Sequence, residues 1–211
     1  GYNYYGQLGN GTITNSSIPV TVSNITTATA IANGGYHSCA RLTNGTIQCW
    51  GYNYYGQLGN GNTTDSSIPA PVSGITTGAA IANGENHSCA VLSSGTVQCW
   101  GYNADGELGN GTTTNSSTPV TVSGITTATG SAGGGAHSCA VLSSGTVQCW
   151  GNGVQGQLGI SVPLYFSSPG TVLGITTAAS LEITRYAMVQ DWVVRSTSDT
   201  DLKENYFLIY F

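Results

Sequence analysis

Six cysteines and three histidines are the residues of this chain best suited to chemistry, and they recur in one arrangement. Each set reads His-Ser-Cys-Ala, then Arg-Leu or Val-Leu and a turn ending in Gly, then Thr, Ile or Val, and Gln-Cys-Trp-Gly. The sets start at His37, His87 and His137. Three chemistries fit a histidine two residues before one thiol, with a second thiol ten residues further on. Thiols facing each other across a hairpin oxidise to a disulfide. Buried thiols stay reduced and pack as small hydrophobes. A thiol pair and an imidazole on one face supply three metal ligands, one short of a structural zinc site.

The turn helps to choose. Its three residues are Thr43-Asn44-Gly45 in the first set and Ser-Ser-Gly in the others. A three-residue hairpin loop wants a left-handed residue at its end, which glycine supplies without steric cost. Leu42 then faces Thr46, and counting outward puts Cys39 opposite Cys49. Directly opposed antiparallel residues lie about 4.5–5.5 Å apart at Cα, within reach of a disulfide. The same register pairs Cys89 with Cys99 and Cys139 with Cys149, leaving no cysteine over. Disulfides are the expectation; reduced thiols and a partial metal site are the alternatives. Bridges would place the chain in an oxidising compartment.

These sets sit in a longer repeat. Gly-Tyr-Asn-Tyr-Tyr-Gly-Gln-Leu-Gly-Asn-Gly opens at Gly1 and Gly51, and variants open at Gly101 and Gly151. The period is 50 residues, and 35 of 50 positions agree between residues 51–100 and 101–150. Copies this alike share one structure. No stretch holds a helical period. Short strands read better, at Val20–Val22, Ala28–Asn33, Ser38–Leu42 and Thr46–Trp50 of the first unit. Four strands per unit imply an all-β chain of β-propeller blades. Alternation sorts the faces: His87, Cys89, Val91, Val97 and Cys99 share one, and Ala90, Leu92, Thr96, Gln98 and Trp100 the other. Both carry apolar groups, as a sheet packed between two others requires.

The units resemble the repeats of the regulator of chromosome condensation family. The residues that carry the likeness are Gly34-Gly35-Tyr36-His37, Ala40-Arg41-Leu42, Gly45, Trp50-Gly51, Asn53, Gly56-Gln57-Leu58-Gly59 and Gly61, with the same run from Gly84 to Gly111 and from Gly135 to Gly159. The paired cysteines are similar to those of bacterial and extracellular members. The likeness covers residues 1–180, with units near 1–50, 51–100, 101–150 and 151–180. It implies a propeller, usually of seven blades, of which about four are here, so the chain reads as a fragment of a longer protein. It also implies that His37, His87 and His137 are structural, each bonding a neighbouring turn, and that Trp50, Trp100 and Trp150 pack in the blades.

Members of that family exchange nucleotide on a small GTPase, bind chromatin or cover enzymes to inhibit them, so activity does not follow from fold. Nucleic acid is disfavoured as a partner: the first 180 residues hold one Lys or Arg, Arg41, and the net charge is −5. Nucleotide exchange depends in the family on an inserted wedge, for which these units leave no room. Catalysis is disfavoured because His37, His87 and His137 lie a unit apart, and Glu85, Asp105 and Glu107 form no repeated pair. Neither metal nor other cofactor is expected.

What remains is binding. Tyr4, Tyr5, Tyr54, Tyr55 and Tyr102 fall, with Tyr2 and Tyr52, in one loop per unit beside Asn and Gly. Tyrosine with Ser, Gly and Asn is the composition of adaptable binding surfaces; equally, one Tyr per loop packs on the next blade and the rest are hydrated. The third unit carries Ala104-Asp105 instead, so Asp105 joins the candidates. The expected function is a non-catalytic secreted or cell-surface scaffold that binds an extracellular protein or glycan. The alternatives are a self-assembling protein joined through open blade edges and a polysaccharide hydrolase or lyase.

Charged residues make up only 6% of the chain, which suits a cell exterior. Asn10, Asn15, Asn24, Asn44, Asn62, Asn86, Asn110 and Asn115 all head Asn-x-Ser/Thr sequons, candidates for glycosylation. No apolar run is long enough for a membrane span. Residues 181–211 break the repeat and hold eight of the thirteen charges; they read as a divergent cap or as unselected sequence, with Tyr206–Phe211 β-prone.

Overall fold

The computed structural model describes residues 1–160, 164–175, 177–186 and 189–196, and within them the chain is all-β. The first sheet is β1 (Ala28–Asn33), β2 (His37–Leu42), β3 (Ile47–Gly51) and β4 (Ser66–Pro71), in that order. The second is β5 (Gly78–Asn83), β6 (His87–Leu92), β7 (Val97–Gly101) and β8 (Ser116–Thr121). The third is β9 (Ala128–Gly133), β10 (His137–Leu142), β11 (Val147–Gly151) and β12 (Phe166–Thr171). A hairpin follows, β13 (Ala178–Tyr186) with β14 (Val189–Ser196). All pairings are antiparallel. These are propeller blades. β1, β5, β9 and β13 lie side by side as inner strands, and the turns that follow them are tied: Gly35 N donates to Glu85 O at 3.0 Å, and Glu85 N to Gly135 O at 3.2 Å.

Each blade straddles two sequence units. β1, β2 and β3 come from the second half of one unit, and β4 from the first half of the next. The expected strand at Val20–Val22 does not form. Its counterparts in later units lie a few residues earlier, as β4, β8 and β12, each paired to the strand before it. Residues 16–21 have no strand within residues 1–15 to pair with. β4 also contains Pro69 and Pro71, which suits an outermost strand because proline cannot donate to a further ladder. Beyond the third blade, β13 runs through position 180 and lies against β9 and β10 as β9 lies against β5 and β6. The blade pattern thus outlasts the sequence repeat. Tyr206–Phe211 lies outside the described residues.

The hairpin register is the one expected. Cys39 faces Cys49, Cys89 faces Cys99 and Cys139 faces Cys149. Gly45, Gly95 and Gly145 hold φ of 80°, 82° and 82°. Leu42 N donates to Thr46 O at 2.9 Å, so counting outward puts the cysteines at a non-hydrogen-bonded pair, where strands approach most closely. Cα atoms there are 4.0–4.1 Å apart, and all three pairs are disulfide-bonded, with no free cysteine. Reduced thiols and metal-bound thiols are thereby replaced as readings of these residues.

The two faces of each sheet meet different neighbours. Cys39, Ile47 and Cys49 of the first blade bury against Ala90 and Trp100 of the second, with Leu58, Val72 and Ile75 filling the gap. One blade on, Cys89, Val91, Val97 and Cys99 bury against Ala140 and Trp150, with Leu108, Val122 and Ile125. The disulfide face of one blade therefore covers the tryptophan face of the next. The first tryptophan face, Ala40, Leu42 and Trp50, clusters with Val22 and Ile25. No helix of the described residues is long and apolar enough to cross a membrane.

Candidate functional site

The loops joining β3 to β4 and β7 to β8 leave the same end of their sheets as the β1–β2 and β5–β6 turns. Each long loop is wound around a buried asparagine. Asn53 Nδ2 donates to Asn62 O (3.1 Å) and Thr64 O (3.0 Å), its Oδ1 accepts Leu58 N (2.9 Å), and its backbone N–H reaches Asp65 Oδ1 (2.7 Å). Asn3 and Asn103 repeat the bonds to residues nine and eleven further on. Asn15 and Asn115 take the place of Asp65; only an acceptor oxygen is needed there, so Asn and Asp both serve.

The loop is then bolted to the next blade. Trp100 Nε1 donates to Gln57 O at 2.9 Å, and Ser88 Oγ donates to the same oxygen at 3.0 Å. Gly59 lies under that indole; a Cβ there would come within 2.7 Å of Nε1. His37 Nε2 is 2.9 Å from Ser88 Oγ. Since the Ser88 proton goes to Gln57 O, the hydroxyl accepts from His37, which therefore carries its proton on Nε2. The relay returns as His87, Ser138 and Glu107 O, with Trp150 Nε1 on Glu107 O at 2.8 Å. Burial pushes the pKa of His37 and His87 down to about 3 and that of His137 down to about 4. His37 and His87 bond a strand serine of the next blade, with the turn carbonyl one step further.

At each loop tip Gln7, Gln57 and Gln157 accept the backbone N–H two residues before them through Oε1. Glu107 takes this role in the second blade, Oε2 accepting Asp105 N at 2.9 Å. It is fully buried, and its Oε1 has no partner. Burial, outweighing the backbone hydrogen bonds, raises its pKa to about 7.

The tyrosines stand on this framework as one connected array. Tyr4 meets Tyr5 (5.1 Å between ring centroids), Tyr5 meets Tyr52 of the next loop (4.7 Å), Tyr54 meets Tyr55 (5.0 Å) and Tyr55 meets Tyr102 (4.9 Å). Tyr2–Tyr4 and Tyr52–Tyr54 are near-parallel pairs at 6.5 and 6.3 Å, and Tyr36 touches Tyr2, Tyr5 and Tyr52. Tyr5 and Tyr55 pack on the next unit, while Tyr4 and Tyr54 are 63% and 67% exposed. The array stops at Asp105, where a hydrogen bond replaces the ring contact: Asn152 Nδ2 donates to Asp105 Oδ2 at 2.9 Å. Burial first, and then neighbouring phenols and Asp65, raise the Tyr52 pKa; burial, Glu107 and Asp105 raise that of Tyr102.

Of the sequons, Asn15, Asn24, Asn44, Asn62 and Asn115 are exposed, and Asn10, Asn86 and Asn110 half-buried. Asn24 is a left-handed non-glycine residue, φ 58°, where later units have Gly74, Gly124 and Gly174. Asn86 shares its sequon with Ser88, whose hydroxyl is spent in the relay. Among the described residues no three His, Cys, Asp or Glu side chains converge as metal ligands.

A model of the regulator of chromosome condensation (RCC1) repeat matches residues 1–41, 44–91 and 94–141, and a second model of that repeat matches 28–57, 79–107 and 131–157. The chain belongs to the RCC1 repeat family. Among solved structures, human WBSCR16 superposes with a TM-score of 0.73 at 21% identity, covering 91% of this chain and 53% of that one. Yeast RCC1 (Prp20), solved bound to Kap60, gives 0.62 at 20% identity over 71% of this chain and 37% of that one. Prp20p from Saccharomyces cerevisiae, described with its binding to Gsp1p and histones, gives 0.62 at 21% over 71% and 39%. The chain spans about half the length of WBSCR16 and less of the yeast proteins. A search of curated proteins gave no match.

The RCC1 repeat was readable from glycines, tryptophans and histidines. Three parts of the framework were not singled out. Ser88 and Ser138 look like ordinary strand serines, and only the sheet-to-sheet approach reveals them as relay members. The sequence marks Asn53 as a motif residue but not as a cap, for which its spacing to Asn62 and Thr64 is the available signal. Glu107 was seen as a lone carboxylate; its alignment with Gln57 was the clue that it fills a buried amide position.

Proposed function

We propose that this RCC1-repeat chain is a non-catalytic, secreted or cell-surface scaffold that captures a protein or glycan on its tyrosine face. The observation that carries the reading is the connected array of exposed and half-exposed tyrosines running across three consecutive loops. Tyrosine offers large contact area with a polar tip and loses little side-chain entropy on binding, and the loops beneath it are rigidly capped. His37 and His87 support a structural role, since burial keeps them neutral and their Nε2 protons point into a blade junction. Use of every cysteine in a disulfide, with few charged residues, supports the exterior of a cell. A protein partner agrees with the yeast relatives, described with Kap60, Gsp1p and histones.

The test is to probe a glycan array and an immobilised peptide array with the wild-type chain and with a variant carrying Ser at Tyr4, Tyr5, Tyr54 and Tyr55. Capture by the wild type, lost in a variant with an unchanged circular dichroism spectrum, is expected. Capture that survives the substitutions removes this face as the site. Alkylation of native-source protein tests the compartment; six thiols reactive without reduction overturn secretion.

Self-association is the second reading. Ile18 and Ile31, 71% and 62% exposed, border a groove with Trp50 on the incompletely covered face of the first blade. A concentration-independent monomer mass removes it.

A further inference from the structure

The charges of residues 1–178 are sharply segregated. Their carboxylates are Asp65, Glu85, Asp105 and Glu107, and their one Lys or Arg is Arg41. Asp65, Asp105 and Glu107 lie in the loops that carry the tyrosines, and Glu85 lies in the β5–β6 turn at the same end. Arg41 lies near the other end, its Nε donating to Gly78 O at 2.6 Å and its Nη1 to Thr29 Oγ1 at 2.7 Å.

Each carboxylate is also a departure from the repeat. Asp65 stands where Asn15 and Asn115 stand, Glu85 where Gly35 and Gly135 stand, Asp105 where Tyr5 and Tyr55 stand, and Glu107 where Gln7 and Gln57 stand. In near-identical copies, every substitution that adds negative charge falls at one end of the blades, among the aromatic rings. Glu107 is sealed in the core, which leaves Asp65 and Asp105 in the tyrosine loops and Glu85 in the turn at the same end.

We infer that the tyrosine face takes arginine side chains of a basic peptide segment, guanidinium against phenol ring and fork against carboxylate. A guanidinium is planar, stacks on aromatic faces and pairs with carboxylates through paired N–H groups. Tyr54, two-thirds exposed, supplies an open ring, and Asp65 and Asp105 act on Tyr52 and Tyr102 to either side. Asp65 Oδ1 accepts Asn53 N–H and Asp105 Oδ2 accepts Asn152 Nδ2, and a carboxylate has a further oxygen to offer a guanidinium. A neutral glycan would use the rings but not the added negative charge, and an acidic partner would be repelled. Lysine, a compact and strongly hydrated cation, gains less from the rings.

This inference rests on the tyrosine face being the binding site, and the experiment separates the two. Fluorescence anisotropy is measured for labelled hexa-arginine, hexalysine, a neutral Gly-Ser hexapeptide and labelled cellohexaose, at low and at physiological salt. One variant is Tyr4→Ala with Tyr54→Ala, the residue the third unit carries as Ala104. The other is Asp65→Asn with Glu85→Gly, the residues of the sister units, so both keep a loop the fold already uses. Hexa-arginine should bind more tightly than hexalysine, weaken with salt, and lose roughly tenfold in affinity in the tyrosine variant and about fivefold in the acid variant. Neutral probes should not bind. If a neutral probe binds and is lost in the tyrosine variant while hexa-arginine is no better, the arginine preference is overturned and the face survives as a site. If hexa-arginine binds equally to all three proteins, the surface is wrong. Absence of binding by every probe removes both.

Discussion

The junction between the first and second blades and the junction between the second and third are built from the same parts. A histidine gives its proton to a serine on the next blade, a tryptophan indole and that serine share one loop carbonyl, and a disulfide face covers a tryptophan face. They differ at the loop tip. The first has Gln57 in the core and Tyr55 against Tyr102; the second has Glu107 in the core and Asp105 bonded to Asn152. The frame tolerates exchange of an aromatic contact for a hydrogen bond because the tip is half in water. It also accepts an acid in place of a buried amide, because one carboxyl oxygen still receives the backbone N–H that the amide received.

The largest effect should be common to both junctions. His37 and His87 are neutral in the fold, with pKa values near 3 against 6.5 when exposed. The unfolded chain binds protons that the folded chain refuses across that window, so the stability the two histidines contribute is full above pH 6.5 and falls as the pH drops toward 3, by several kcal/mol in all. Urea unfolding at pH 7 and pH 4 measures this; equal midpoints would contradict the relay. Next come Trp100→Ala and Trp150→Ala, each expected to cost about 3–5 kcal/mol. A large difference between them would show that the two junctions are not mechanically equivalent.

Glu107 should then separate the junctions. Its folded pKa of about 7 exceeds the exposed value of 4.5. The folded chain therefore keeps a proton that the unfolded chain releases, and stability is lost as the pH rises from 4.5 through 7. Glu107→Gln should stabilise the chain at pH 8 by on the order of 3 kcal/mol and do little at pH 4. Gln57→Glu should impose the same penalty on the first junction. The smallest effect belongs to the tips: Asp105→Tyr with Asn152→Tyr, extending the aromatic array by one unit, should change stability by about 1 kcal/mol or less.

Sequence carried the interior of each blade well, and for a physical reason. Alternating residues on β2 and β3 must face a neighbouring blade on both sides, so the two apolar sets and the cysteine register followed from counting. The outer strand was displaced because β4 is written in Ser, Pro and Ile with no periodic signal; only its partner β3, in the preceding unit, fixes where it pairs. Repetition placed the tyrosines in one loop, but that Tyr5 meets Tyr52 depends on the rotation between blades, which no residue encodes locally. The Ser88 relay was hidden for the same reason.

The offset between unit and blade has a genetic consequence. Because every blade is completed by residues from the following unit, a crossover between two misaligned copies deletes or adds a whole blade wherever in the 50-residue period it falls. Both seams of the recombinant are regenerated, since donor and acceptor segments at each seam come from matching positions. The length of such an array can therefore drift over generations without passing through a broken sheet, and each added copy brings a fresh loop tip on which selection can act.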